Sequence, residues 1–183
     1  MSMRLPVLLS IVALLAAGCV QTGGTRRSSD NNAGVSADPS DAEKRASVRL
    51  ELAGGYFSRG QFNTALDEIK LALAAKPDMG AAHNMRGLVY AAMGEDRLAE
   101  DSFERAMSLN PRDADAMHNR AWFKCQRGEY DDADRLFEQA IATPQYRDLA
   151  RSLMAQGICF ARAGRMVPAE QKLLRAYEID PTN

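Results

Sequence analysis

Aromatic residues are scarce, 7% of the 183 positions with a single tryptophan, and runs of Val, Ile and Thr are almost missing. Strands draw on those residue types, whereas the abundant Ala, Leu, Glu, Arg and Asp favour helix, so the composition points to an all-α chain. No charge sign predominates: 23 Lys+Arg stand against 24 Asp+Glu, a net charge of -1. A binder of nucleic acid gathers Lys and Arg on one face, and this balance argues against nucleic acid as a partner. Cysteine is limited to three residues and histidine to two, His83 and His118, with no C-x-x-C spacing, so no metal site is expected. G-x-S-x-G, H-E-x-x-H, a P-loop and a strand-linked G-x-G-x-x-G are all missing, and neither an enzyme nor a small-molecule substrate is expected. The longest apolar run, Val7 to Ala17 broken by Ser10, falls short of the roughly 20 residues needed to span a bilayer.

That short run follows Arg4 and precedes Ala16-Ala17-Gly18-Cys19, the order of a secretion signal. Small residues directly before a cysteine resemble a bacterial lipoprotein signal, although Ala16 stands where such signals usually carry Leu. The resemblance implies removal of residues 1–18 and a diacylglycerol on Cys19, which would be the chain's only attached group, with no other cofactor. By the same resemblance Val20, in place of Asp, implies sorting to the periplasmic face of the outer membrane. Residues 19–41 are rich in Gly, Ser, Thr, Asn and Asp and read as a flexible tether of roughly 25 Å average reach.

Beyond the tether the chain repeats itself. Gly60, Gly94, Gly128 and Gly164 form one column; Ala65, Ala99, Ala133 and Ala169 a second; Ala72, Ala106, Ala140 and Ala176 a third; Pro77, Pro111 and Pro181 a fourth with one member missing. With small residues at the eighth position (Ala53, Gly87, Ala121, Gly157) and aromatics at the eleventh (Tyr56, Tyr90, Phe160, with Lys124 departing), the pattern resembles the tetratricopeptide repeat (TPR). The resemblance implies four pairs of antiparallel helices A and B, about 46–79, 80–113, 114–149 and 150–183 within a domain of 42–183, stacked as a right-handed superhelical solenoid. The physics of the columns agrees. Small residues let paired helices approach, the glycines suit left-handed caps, and the prolines cannot continue helix B. Ser40 with Glu43 forms a capping box, and Asp78 and Asp113 stand where later A helices should begin. The acidic residues of the B helices, among them Glu95, Asp96, Glu100, Asp101, Asp131, Asp132 and Asp134, read as a solvated outer face.

The third repeat carries two extra residues around Pro144, with Tyr146 placed to cover the junction. This turn, the stretch from His118 to Gly128 with Trp122, Phe123 and Cys125, and Gly157-Ile158-Cys159 resemble the type IV pilus biogenesis/stability lipoproteins of the PilF/PilW family. The resemblance implies an outer-membrane pilotin whose partner is the secretin subunit of the pilus. A TPR lipoprotein scaffold for a Flp/Tad pilus secretin, for peptidoglycan enzymes or for outer-membrane protein assembly is the alternative. Helix B of the fourth repeat, with Leu173, Leu174, Tyr177 and Ile179, lacks a polar capping helix, so either the chain continues or a partner or second copy covers that end.

With Cys19 lipidated, Cys125 and Cys159 remain as an even pair in an oxidising compartment. They fall on A helices of adjacent repeats, so a disulfide between them is expected; two buried free thiols are the alternative. Function should then reside on the concave face of the A helices, where Leu50, Phe57, Asn84, Leu88, His118, Trp122, Met154 and Ile158 form an apolar, polar-edged groove with Trp122 as anchor. Leu50 and Gly54 replace the first two residues of the TPR carboxylate clamp, which disfavours chaperone tails as ligands.

Overall fold

The structure is a computed structural model that describes residues 39–182. The signal, Cys19 and most of the tether lie outside the described residues. Eight helices follow one another: α1 Pro39–Ser58, α2 Phe62–Ala75, α3 Gly80–Met93, α4 Asp96–Leu109, α5 Ala114–Gln126, α6 Tyr130–Ile141, α7 Leu149–Arg162 and α8 Met166–Ile179. Each odd helix packs mainly on the even helix that follows. Each pair meets the next through α2 with α3, α4 with α5 and α6 with α7, and the odd helices also touch in series. This is the layered stack of a helical repeat, in which each unit buries its apolar face only with neighbours.

The columns explain the elements. Gly60, Gly94, Gly128 and Gly164 all have φ between 72° and 79°. The N–H groups of the residues after them, Gln61, Glu95, Glu129 and Arg165, return to the carbonyls of Tyr56, Tyr90, Lys124 and Phe160, closing each odd helix as a Schellman motif. Both alanine columns are buried and form the seam of each pair. Where α3 crosses α4 the contact is closer still: a Cβ on Gly87 would lie 2.6 Å from the Phe103 ring. The even helices α2, α4 and α8 end with N–H bonds from Lys76, Asn110 and Asp180 to Ala72, Ala106 and Ala176 of the second alanine column, and the prolines follow at once.

Two expected caps differ. Helix α1 already begins at Pro39, which puts Ser40 within its first turn, and the helical domain starts ahead of residue 42. Proline suits a first helical turn, where its missing N–H has no intrahelical partner. Met79, not Asp78, precedes α3 and makes no side-chain cap, whereas the Asp113 carboxylate accepts from the Ala116 N–H at 3.0 Å and caps α5.

Candidate functional site

The odd helices bring part of the expected groove together. Phe57, Leu88 and Trp122 line one cleft, with Asn119 and Gln126 at its edge, and the Asn119 Nδ2 donates to Asn84 Oδ1 at 3.2 Å. Leu50, Met154 and Ile158 are half-buried and do not line this cleft; Leu50 packs instead beside Ala46, Ala72 and Ala82. Trp122 is half-committed to the core. It lies against the cluster of Cys125, Phe137 and Cys159, and the Arg162 guanidinium covers its ring 5.1 Å from the centroid.

His118 differs from expectation, being 7% exposed rather than lining the groove. Its Nδ1 lies 2.7 Å from Ser152 Oγ, which is hydrogen-bonded to the Tyr146 hydroxyl at 3.1 Å. The extended turn after α6, where Gln145 takes φ 61°, folds Tyr146 over Ala114, Met117 and Ala140. Burial pushes the His118 pKa down to about 4; Arg151 adds to the effect and Asp148 opposes it. Cys125 and Cys159 face each other at the same junction with Cα atoms 5.8 Å apart, within the span of a disulfide.

Exposed apolar surface also lies outside this groove, on the first and the last helix pairs. On the first pair, Val48 (57% exposed), Leu52 (43%) and Leu71 (46%) line a cleft of about 540 Å³ with Ala75, rimmed by Lys44, Arg45 and Arg49. In the later repeats the place of Val48 is taken by Ala82, Ala116 and Ser152, all fully buried. No helix packs on this face of α1 among the described residues, which leaves an interior-type surface open. Met166, Val167, Leu174 and Tyr177 on α8 are likewise exposed, at 56–68%.

The acidic residues of the even helices are not all a solvated face. Glu100 accepts from Arg120 Nε at 3.1 Å and lies 3.2 Å from Lys124 Nζ, which explains why Lys124 replaces an aromatic there. Asp134 and Glu138 accept from Gln156 Nε2 at 2.6 and 2.7 Å. The Glu138 carboxyl is held below the usual carboxylate range, first by its hydrogen bond with Lys172 and then by Gln156. These bonds tie neighbouring pairs together across the second and third junctions.

The tetratricopeptide-repeat family matches residues 80–113, 102–135 and 125–183, the first of these spanning the α3–α4 pair. The chain belongs to the tetratricopeptide-repeat proteins. This TPR chain is 26% identical to the type IV pilus assembly protein PilF of Pseudomonas aeruginosa over 94% of its own length and 66% of PilF. An uncharacterised protein of Haemophilus influenzae is 28% identical over 79% of this chain and 81% of that protein. Among solved TPR structures, PilW, a widely conserved type IV pilus biogenesis factor, superposes with a TM-score of 0.71 at 28% identity, covering 74% of this chain and 62% of PilW. The PilF structure gives 0.74 at 19% identity, covering 78% and 64%. The chain thus spans somewhat less than two thirds of the PilF and PilW structures, and it is a TPR protein related to type IV pilus factors.

Proposed function

We propose that this chain is a non-catalytic, lipid-anchored adaptor on the periplasmic face of the outer membrane, holding the secretin subunit of a type IV pilus and aiding its localisation and ring assembly. The relation to PilF and PilW supports the pilus assignment, and the lipoprotein-like signal ending at Cys19 supports the anchor. The observation that carries the reading is the open apolar face of the first helix pair. Val48, Leu52 and Leu71 are large, exposed and contiguous, and α1 is the first helix after the tether in sequence. An amphipathic helix of the secretin would seat its apolar stripe there and set acidic residues toward Lys44, Arg45 and Arg49. These side chains are about half exposed, so covering the remainder gives about 1 kcal/mol each before ordering costs, a modest contact that confinement of both partners to one membrane strengthens.

Co-purification from solubilised outer membranes tests the assignment. The secretin should come with the wild-type chain and be lost with Leu52→Glu. Recovery of peptidoglycan enzymes or barrel-assembly proteins in its place would reject the pilus reading.

A further inference from the structure

Three junctions join the four repeats, and the first lacks the acidic partner that the other two possess. At the second junction Arg120 of α5 meets Glu100 and Glu104 of α4, with Glu104 at 2.9 Å. At the third, Gln156 of α7 holds the same place and meets Asp134 and Glu138 of α6. The matching residue of the first junction is Arg86 of α3, but the matching places on α2 are Leu66 and Lys70. Arg86 turns instead to Ser102 of its own pair, with Nε donating to Oγ at 3.1 Å. Among the described residues no carboxylate forms an ion pair with Arg86 or Lys70. A cleft of about 350 Å³ opens between them, floored by Leu66, Leu73 and Tyr90, with Asp67 at its lip.

We propose that this cleft binds an acidic side chain of a partner polypeptide. The carboxylate pairs with Arg86 and Lys70, and an apolar neighbour in the partner covers Leu66 and Leu73. The other two junctions supply the template, because there the same site on the odd helix is satisfied by Glu or Asp from the adjoining helix. Two cations outweigh the single carboxylate of Asp67, which is exposed and opposes binding weakly. Half-burial of Arg86 over an apolar floor makes its pairing with an incoming carboxylate worth more than an exposed surface pair. The cleft shares no residue with the open face of α1 and does not depend on the pilus reading.

The test is an NMR titration of the ¹⁵N-labelled full chain with the blocked tetrapeptide acetyl-Leu-Glu-Phe-Glu-amide and its Gln-for-Glu counterpart. Shifts should centre on Lys70, Leu73, Arg86 and Tyr90, the Gln peptide should bind at least about tenfold more weakly, and salt should weaken the acidic peptide several-fold. Lys70→Glu restores an acid where Glu104 and Glu138 stand; it should raise the thermal midpoint and abolish binding. Lys70→Gln, at an exposed site that leaves the fold intact, should weaken binding several-fold. Equal binding of the two peptides, shifts confined to other surfaces, no binding at all, or full binding by Lys70→Glu would each overturn the proposal.

Discussion

Gly87 meets the face of Phe103 so closely that an added Cβ would stand 2.6 Å from two ring carbons, in a junction where Phe103 is fully buried. The contact sets the distance between α3 and α4. Gly87→Ala should therefore destabilise the chain despite its better helix propensity. Overpacking costs about 1–3 kcal/mol against a propensity gain of roughly 1, so a net loss of up to about 2 kcal/mol and a lower midpoint are expected. Gly157→Ala should also destabilise but cost less, since its Cβ would meet Leu173 Cγ at 2.8 Å and the Ala169 carbonyl at 3.1 Å, and Leu173, 38% exposed, can move aside where the fully buried Phe103 ring cannot. Thermal unfolding of both variants checks the order.

The facing of Cys125 and Cys159 implies a disulfide that ties α5 to α7. Denatured, non-reduced protein exported to the periplasm behind a cleavable signal that replaces residues 1–19 should show no free thiol. Loop closure across a sequence separation of 34 predicts that the Cys125→Ala, Cys159→Ala pair loses roughly 3–4 kcal/mol. Two free thiols by mass-labelling would reject the bridge.

His118 makes the third-to-fourth junction sensitive to acid. Its folded pKa of about 4 lies below the ordinary 6.5, so the unfolded chain takes up a proton more readily. Stability from this group is complete above about pH 6.5 and is lost as the pH falls toward 4, a contribution of about 3 kcal/mol at most. Unfolding midpoints measured from pH 7 to 4 should fall more steeply for the wild type than for His118→Gln, because other groups titrate alike in both. Parallel profiles would show that His118 is not the responsible group.

Val48→Glu and Leu52→Glu act on exposed positions and should leave the unfolding free energy within about 0.5 kcal/mol of wild type. The same changes should weaken secretin capture at least about tenfold, since they place charge in the centre of an apolar contact. A pull-down with the solubilised secretin reads this, and Leu174→Glu on α8 serves as the contrasting surface change.

The repeat was legible because its constraints are local and steric. A cap at φ near 75° is cheap only for glycine, and the two alanine columns sit where any larger side chain would part the helices, so period and element ends could be read from residue type alone. His118 shows where that reading stops. Position five of helix A faces the groove in a regular repeat, but the two extra residues after α6 carry Tyr146 across the junction and bury His118 with Ser152. Likewise Val48 and Leu52 occupy ordinary A-helix places; their exposure comes from the lack of a packed neighbour on α1 among the described residues, which no residue of α1 announces. The junction roles of Glu100 and Asp134 were hidden because an acid on an outer helix looks the same in sequence whether it meets water or an Arg or Gln of the next repeat. Their regular spacing of 34, opposite Arg120 and Gln156, was the signal available.

The central claim, that this TPR chain serves assembly of a type IV pilus secretin, is tested most directly by probing heat-stable secretin multimers in outer membranes of a deletion strain. The account predicts that multimers are lost, return with the wild-type chain, and do not return with the Val48→Glu, Leu52→Glu chain produced at equal level. Normal multimers and surface pili in the deletion strain would contradict it.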